Sequence, residues 1–319
     1  MVDNGAEVIV MEVSSQSLKL YRVEGCEFDI GVFTNFSQDH ISKNEHPDMI
    51  DYFVSKIELM KKSKICFTNS DDLYTAKVPR LLDFKNISTF GIDNYANFMA
   101  KDITLTDSYA DFKAKLGQKN ERVKVYMPGR FSIYNALAAI CVCLHLGASS
   151  ENIIAALAEV KVPGRCELVN NRKELNIMID YAHSPESLEN ILTAVKSYTK
   201  GRVICLFGCG GDRDTSKRSI MGEISGKLAD YTIITSDNPR TEEPNAIINQ
   251  IERGIKKTKG QYVCIVDRVE AIKHAISIAN KNDFIILAGK GHETYQIIGN
   301  EKHSFNEKKI INDIISNIK

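Results

Sequence analysis

Six polar segments carry the residues of this sequence that are best suited to chemistry. Each segment follows a short apolar run, and together they hold carboxylates, imidazoles, arginines and a glycine-rich turn. Such groups bind divalent cations, phosphates or carboxylates when a fold brings them together. The six segments are residues 12–15, 35–40, 180–183, 208–214, 236–240 and 288–293.

The first two segments offer Glu12 and His40 as ligands for a metal ion. Glu12 lies inside an apolar run, so a buried carboxylate satisfied by backbone donors is an equally good interpretation. A lone histidine such as His40 is more often a packed or capping residue than a ligand. Together the two residues supply one oxygen and one nitrogen ligand of the kind that Mg²⁺ tolerates beside nucleotide phosphates.

The glycine-rich segment 208–211 is either a tight turn or an anion-binding loop. At the start of a helix, its backbone N–H groups would face an anion with help from the helix dipole. Arg213, Lys217 and Arg218 follow closely and would add positive charge, although such a cluster is more often a solvated face. The residues alone do not decide between these interpretations.

Asn238 and Arg240 flank Pro239 in the next polar segment, and they also have two interpretations. They either shape a turn around the proline or form a fork that grips a carboxylate. In the second case the planar guanidinium would bind both carboxylate oxygens, which a lysine ammonium would not reproduce.

Lys56 lies at the margin of the apolar stripe of a predicted helix that begins at Pro47. It comes seven residues after Met49 and three after Phe53. Periodicity favours snorkelling, in which the stem packs and the ammonium reaches water. A partly buried lysine also has a lowered pKa, and its neutral amine can be modified or act in catalysis.

The apolar runs that precede the polar segments predict the strands of mainly parallel sheets. Most runs are continuous rather than alternating, as in strands buried on both faces, and helical patterns alternate with them. This order predicts an α/β fold in which ligands bind at the carboxyl ends of the strands. The predicted strands are residues 8–13, 30–34, 177–179, 203–207, 231–235, 262–266 and 284–287.

Capping residues predict where the helices begin and end. A buried helix over 135–146 would stop at Gly147, and a short helix would follow a cap at Ser149 or Ser150. Ser304 and Glu307 have the spacing of a capping box before the last helix. Three further helices are predicted to begin at Pro185, at Pro244 and after Asp267.

Composition and length exclude several classes of protein. The 41 basic and 41 acidic residues leave no net charge, so we expect neither a nucleic-acid nor a membrane partner. The eight cysteines lie mostly in apolar runs without a C-x-x-C pair, which favours a reduced, cytoplasmic protein. We find no signal peptide and no membrane span. The 319 residues allow two domains, 1–164 and 165–319, joined at a linker over 162–165.

The motifs, in their order, resemble the Mur ligases, and most closely the members that add diaminopimelate. The resemblance runs through nearly the whole chain. The matching stretches are MEVSS (11–15), TNFSQDH (34–40), PGRF (128–131), YNAL (134–137), VPGR (162–165), DYAH (180–183), GCGGDRD (208–214), DNPR (237–240) and GKGHETYQ (289–296).

The resemblance implies a reaction and a domain plan. ATP would phosphorylate a carboxylate of UDP-MurNAc-L-Ala-D-Glu, and the amine of diaminopimelate would attack the acyl phosphate in peptidoglycan synthesis, with Mg²⁺ screening the phosphates. Residues 1–164 would be part of a central ATPase domain. Residues 165–319 would be a Rossmann-like C-terminal domain that binds the amino acid. We expect a monomer.

The resemblance also assigns roles to single residues. Glu12 and His40 would ligate Mg²⁺, Lys56 would be carbamylated by CO₂ to support the metal site, and Ser14 and Arg22 would contact the nucleotide-linked substrate. The residues implied near ATP are Asp180, Tyr181, Lys217, Arg218 and the catalytic His183. Those implied to hold diaminopimelate are Arg213, Asn238, Arg240, Gly289 and Glu293.

Two features depart from the family pattern. The spacing from His40 to Lys56 is longer than in the commonest members, with residues 43–46 in an enlarged loop. The sequence also contains no Gly-x-x-x-x-Gly-Lys-Ser/Thr stretch, which forms the P-loop around ATP phosphates. We therefore expect an N-terminally truncated ligase whose P-loop and uridine-binding domain would lie upstream of Met1.

Other functions are open or disfavoured for stated reasons. A truncated chain of the same fold would bind amino acid or substrate without catalysis. A lysine-adding Mur ligase would have no use for a fork at Arg240, because lysine lacks the distal carboxylate. A dinucleotide-binding oxidoreductase is disfavoured because no Gly-x-Gly-x-x-Gly opens a β-α-β unit. Folylpolyglutamate synthases share the fold but are not expected to carry Asp-Asn-Pro-Arg at this site.

Overall fold

The computed structural model describes residues 3, 5–42, 45–82 and 86–317. Two residues of the enlarged loop, Lys43 and Asn44, lie outside the described residues. The chain forms two compact units, Met1–Met99 and Ala100–Lys319. Among the described residues, no helix combines the length and the apolarity needed to cross a membrane.

Parallel strands form the sheet of the first unit. Its elements are α1 (Ser15–Lys19), β1 (Phe28–Phe33), α2 (Met49–Lys61), β2 (Ser63–Asn69), a 3₁₀ turn (Thr75–Lys77), α3 (Val78–Leu81), β3 (Ile87–Gly91) and the start of β4 (Phe98–Leu105). Strand β2 pairs with β1 on one side and β3 on the other, and β3 pairs with the first residues of β4. Phe33 and Cys66 of the sheet pack with Tyr52, Ile57 and Met60 of α2 to form the core.

The strand predicted over residues 8–13 is wrong. Residues 6–14 have no regular secondary structure, and the side chains from Val8 to Met11 are exposed. A strand needs a neighbour for its backbone N–H and C=O groups. Within the described part of the chain, β1 pairs with β2 alone. The apolar run indicated a preference for burial, but it could not indicate a partner for the backbone.

An antiparallel layer and two helices open the second unit. Its first elements are the rest of β4, β5 (Ala110–Leu116), β6 (Lys119–Val125), α4 (Arg130–His145) and α5 (Ser150–Glu159). Strand β5 lies between β4 and β6 and is antiparallel to both. As predicted, α4 ends before Gly147, which has a φ of 83°. The hydroxyl of Ser149 caps α5 by accepting from Asn152 N at 3.3 Å.

The remaining elements build a second six-stranded sheet, the helices that flank it and a two-stranded antiparallel sheet of β13 and β14. They are β7 (Glu167–Leu168), β8 (Asn176–Asp180), α6 (Pro185–Lys196), β9 (Val203–Phe207), α7 (Ser216–Leu228), β10 (Tyr231–Ile234), α8 (Pro244–Ile255), β11 (Gln261–Cys264), α9 (Arg268–Ile278), β12 (Phe284–Ala288), β13 (Tyr295–Ile298), β14 (Glu301–Ser304) and α10 (Glu307–Asn317). The strand order is β11-β10-β9-β12-β8-β7, and every pair is parallel except β7 with β8. Helices α6, α7 and α8 pack on one face and α9 and α10 on the other. The predicted mainly parallel α/β architecture is confirmed.

The capping box predicted before the last helix is wrong. Ser304 belongs to β14, which pairs with β13. Asn306 takes the capping position, because its Oδ1 accepts from Lys309 N at 3.0 Å. The carboxylate of Glu307 is buried against Arg268 instead of turning back to the helix end. The spacing was correct for a capping box, but a long-range ion pair competed for the glutamate.

Candidate active site

In the first unit, Lys56 lies among aromatic and acidic side chains. Its Nζ is 5.9 Å from the ring centroid of Phe33 and 5.5 Å from that of Tyr52. Burial lowers the pKa of Lys56, and the negative charges of Glu12 and Asp39 partly oppose that shift. The fold therefore brings two acidic residues from separate segments into the electrostatic neighbourhood of the predicted lysine.

His40 lies beside the same cluster in an unusual backbone conformation. Its φ of 60° is left-handed, and its N–H donates to Asp39 Oδ1 at 2.9 Å. The imidazole meets Tyr52 edge-on at 5.5 Å, and its Nδ1 lies 3.2 Å from Glu45 Oε1. Among the described residues, no three Asp, Glu, His or Cys side chains converge as a metal site. The roles of Glu12 and His40 as metal ligands stay a prediction.

The two residues predicted to contact the nucleotide-linked substrate lie at the two ends of α1. Ser14 caps the helix, because its hydroxyl accepts from Ser17 N at 3.0 Å. Arg22 is exposed in the turn that follows α1. Ser14 is therefore explained locally as a cap, and Arg22 is accessible to a ligand.

His46 is the centre of a chain of hydrogen bonds that the sequence did not predict. The imidazole is fully buried, with Nε2 at 2.8 Å from Ser15 Oγ and Nδ1 at 2.6 Å from Asp51 Oδ2. Lys19 Nζ reaches the same Asp51 oxygen at 2.6 Å. The chain links α1 to α2, and so links the segment that carries Glu12 and Ser14 to the helix that carries Lys56. No local sequence pattern predicts these hydrogen bonds, because the residues that form them come from three separate segments.

In the second unit, four predicted loops meet at the carboxyl edge of the sheet. Gly289 N donates to Asp180 O at 3.1 Å, which joins the loops after β12 and β8. Gly211 N donates to Asn238 O at 2.9 Å, which joins the loops after β9 and β10. Gly289 has a φ of +110°, and a side chain there would meet Asp237 Oδ2. The positions of these segments at one edge are as the sequence predicted.

Asn238 and Glu293 are directly hydrogen-bonded in this loop cluster. Asn238 Nδ2 donates to Glu293 Oε2 at 2.9 Å. Lys290 Nζ lies 3.1 Å from that same oxygen and 3.1 Å from Asn238 Oδ1. Ile297 N also donates to Asn238 Oδ1, at 2.9 Å. The sequence predicted Asn238 and Glu293 as site residues but gave no role to the buried Lys290.

Arg240 is held by its backbone and its side chain. Its N–H donates to Ile297 O at 3.1 Å, and Gly299 N donates to Arg240 O at 2.7 Å. Its φ of 51° is left-handed, and Nη1 donates to Gly211 O at 2.8 Å. Nη1 of the guanidinium is thus engaged in a hydrogen bond to the glycine-rich loop. This bond fixes the orientation of the planar guanidinium group.

The basic residues near the glycine-rich loop are in very different environments. Arg218 is fully buried, with both terminal nitrogens paired with Glu242 at 2.7 and 2.8 Å and Nη2 donating to Gly210 O at 2.9 Å. Arg218 therefore stabilises the glycine-rich loop from the protein interior. It is not part of a solvated basic face. Lys217 is also largely buried, whereas Arg213 is exposed. Arg213 is the most accessible of the three.

Asp180 ends β8 as a buried carboxylate. Its two oxygens accept from the backbone N–H groups of Cys166 and Ala182, each at 2.8 Å. Burial raises the pKa of Asp180, and the two backbone hydrogen bonds oppose that shift. The residue thereby joins the segment around Cys166 to the carboxyl end of β8.

Tyr181 is surrounded by basic and imidazole groups. The Arg165 guanidinium lies 4.6 Å from its ring centroid, and the rings of His183 and His292 lie 4.5 and 5.3 Å away. His183 Nδ1 is 2.7 Å from Tyr181 O. Burial raises the pKa of Tyr181. These planar groups cluster around Tyr181 at the edge of the sheet, with the His183 ring edge-on and the His292 ring tilted.

Gly164 packs its backbone directly against the loop after β12. A side chain at this position would collide with the backbone of Gly291 and His292. Its φ of +68° also favours glycine. The predicted linker is therefore in close contact with the segment that carries Glu293.

Two protein-family models match the chain. The model for the Mur ligase middle domain matches residues 1–143, and the model for the Mur ligase, glutamate ligase domain, matches residues 164–291. A UDP-N-acetylmuramoyl-L-alanyl-D-glutamate--2,6-diaminopimelate ligase of Caldanaerobacter subterraneus is 49% identical over 317 residues, covering 99% of this chain and 65% of that protein. The ligase of the same name from Alkaliphilus oremlandii is 44% identical over 318 residues, covering 98% and 65%.

A solved structure of a protein with this name also resembles the chain. It is 30% identical, with a TM-score of 0.62, and the match covers 98% of this chain and 65% of the solved one. The chain spans about two thirds of the length of the relatives that it matches. Since the two domain models together account for most of the sequence and both describe Mur ligases, the chain belongs to the Mur ligase family.

Proposed function

We propose that the chain serves the ATP-dependent addition of meso-diaminopimelate to UDP-MurNAc-L-Ala-D-Glu in peptidoglycan synthesis. The observation that carries this proposal is that two loops of opposite charge are in contact: Arg240 follows β10 and Glu293 follows β12, and Asn238, two residues before Arg240, donates to Glu293. The distal centre of diaminopimelate has a carboxylate and an ammonium, which match these charges. The names of relatives up to 49% identical support the same substrate.

The chemistry requires activation of a carboxylate before an amide can form. The γ-phosphoryl group of ATP would pass to the substrate carboxylate, giving an acyl phosphate and ADP. The amine of diaminopimelate would then attack the carbonyl carbon, and phosphate would leave as the amide forms. In this scheme Asp180, Tyr181, His183 and Lys217 would lie near the nucleotide. Arg218 is a poorer candidate for phosphate contact, because Glu242 already neutralises its buried guanidinium.

The cluster around Lys56 is compatible with Mg²⁺ and with lysine carbamylation. As an ammonium, Lys56 offsets one of the two negative charges of Glu12 and Asp39. As a carbamate it would add a third negative charge, and a divalent cation would then be needed to offset the repulsion. Glu12 and His40 would hold that cation, whose chemistry is to screen the phosphates during transfer.

The first experiment measures amino-acid binding by calorimetry. We expect the chain to bind meso-diaminopimelate in preference to L-lysine. Arg240→Lys should reduce that preference roughly tenfold or more, because a lysine cannot bind both carboxylate oxygens. The exposed Arg253→Lys on α8 is the matched control and should change nothing. Equal binding of the two amino acids by the unaltered chain would contradict the proposed substrate.

A second assay separates catalysis from binding alone. We expect no ADP release when ATP, Mg²⁺, UDP-MurNAc-L-Ala-D-Glu and diaminopimelate are added to the purified chain, because the sequence has no P-loop motif. Binding without turnover supports a substrate-binding role for this polypeptide. Robust turnover would contradict that expectation and would assign the whole reaction to the chain.

A further inference from the structure

Lys290 is a fully buried lysine to which the sequence motifs assign no role. Burying an ammonium group is costly unless hydrogen bonds and opposite charge compensate for the lost water. Lys290 lies between Gly289 and Gly291, both with positive φ, so the backbone at this point is shaped to direct the side chain inward. Lys290 is therefore a side chain whose burial is costly, placed between two residues whose backbone conformation favours glycine.

The contacts of Lys290 are with two residues of the candidate amino-acid site. Its Nζ lies 3.1 Å from Asn238 Oδ1 and 3.1 Å from Glu293 Oε2. The rings of Phe305 and Tyr295 lie 5.7 and 6.0 Å from the same atom and contribute cation–π attraction. Lys290 thus bridges a loop after β10 and a residue of its own loop.

These hydrogen bonds determine which way the Asn238 amide points. Its Oδ1 accepts from two donors, Lys290 Nζ and Ile297 N. With the oxygen fixed on that side, Nδ2 is directed toward Glu293 Oε2, to which it donates. If the amide turned over, its NH₂ group would face two donors, which is unfavourable.

The same contacts determine which Glu293 oxygen is available to a ligand. Oε2 accepts from both Lys290 Nζ and Asn238 Nδ2. In the described structure these bonds leave Oε1 as the oxygen for a ligand cation, on a side chain that is 16% exposed. Groups held this way before binding lose little freedom when a ligand arrives.

We propose that Lys290 is a positioning residue that fixes Asn238 and Glu293 for an amino acid whose end carries both an ammonium and a carboxylate. This inference rests on the proposed function for its ligand, but its geometry stands on the described contacts alone. Lys290 does not touch the ligand. It acts through the two side chains that it orients.

The test compares Lys290→Met and Lys290→Gln with the unaltered chain by calorimetry. Methionine keeps the buried stem but has no donor, so we expect affinity for meso-diaminopimelate to fall roughly tenfold to a hundredfold. Preference over L-lysine should fall with it. Glutamine has an N–H donor, and we expect it to restore part of both quantities. Lys273→Met, on the exposed face of α9, is the control for removing a lysine.

Two outcomes would overturn the inference. One is a folded Lys290→Met chain that binds meso-diaminopimelate as tightly and as selectively as the unaltered chain. The other concerns NMR of the ¹⁵N-labelled asparagine side chains. If Lys290 positions Asn238, the Asn238 NH₂ signal should move in both variants. An unmoved signal would refute positioning even without a ligand. Failure of the unaltered chain to bind diaminopimelate would instead count against the proposed function, so the two results are distinguishable.

Discussion

The ammonium of Lys56 lies 5.9 and 5.5 Å from the ring centroids of Phe33 and Tyr52, and carboxylates from two other segments oppose the lowering of its pKa by burial. The apolar periodicity of α2 predicted a marginal position for this lysine, and the structure agrees. Periodicity carried no information about Glu12 and Asp39, because neither belongs to α2. The sequence alone could thus locate the lysine on its helix but could not describe its electrostatic surroundings.

Carbamylation of Lys56 is the prediction that follows at this scale. CO₂ reacts with a neutral amine, and burial lowers the pKa of Lys56, so more of the neutral form exists near pH 8 than for an exposed lysine. We expect a carbamate signal in ¹³C NMR after addition of ¹³C-bicarbonate. The signal should weaken as the pH falls, because the amine becomes protonated.

The assignment is checked by substitution. Lys56→Arg should abolish the carbamate signal, whereas Lys61→Arg, at an exposed position on the same helix, should retain it. A signal of equal size in both variants would show that CO₂ reacts elsewhere. In that case Lys56 would be a snorkelling residue only, as its periodicity suggests.

Two helices of the first unit are joined by side-chain hydrogen bonds, in addition to the pairing of its strands. The His46 chain ties α1 to α2 through Ser15 and Asp51. Helix ends and continuous strands were predicted well from local patterns, such as β9 and the end of α4 at Gly147. The failures were long-range: Glu307 pairs with Arg268 on α9, and residues 8–13 have no strand partner among the described residues.

His46→Ala should destabilise the chain by about 2 kcal/mol, because Ser15 and Asp51 would each lose a hydrogen-bond partner. Urea unfolding measures the change. His46→Gln keeps one hydrogen-bonding group at the site and should recover part of the loss. The exposed His303→Ala on β14 is the control and should stay within about 0.5 kcal/mol of the unaltered chain. Equal urea midpoints of unfolding for His46→Ala and the control would show that these hydrogen bonds do not stabilise the fold.

At the scale of the molecule, the order of motifs was more informative than any single motif. It predicted the family, which the domain models confirm. The alternation of apolar runs with helical patterns predicted the parallel sheet of the second unit. The predicted boundary at 164 stays a prediction, since the compact units divide after Met99. The antiparallel strands β4 to β6 were not predicted, because their alternating residues lack the long apolar runs of buried strands.

Residues 165–319 should fold without the rest of the chain. Both core clusters of the second sheet lie within residues 166–315, with Phe131 of α4 packed against one of them. Losing that contact should cost about 1–2 kcal/mol relative to residues 100–319. Urea unfolding of the two polypeptides gives the comparison. A polypeptide of residues 165–319 without a cooperative transition would place the true boundary earlier in the chain.

Gly164 has a consequence for how such a ligase can change its choice of amino acid. Its backbone contacts Gly291 and His292, so any side chain at 164 must displace the loop that holds Lys290 and Glu293. A substitution in a connecting segment, at a residue that is not itself a predicted ligand contact, would then alter substrate preference. Screens for altered preference should therefore include this position as well as the residues that face the amino acid.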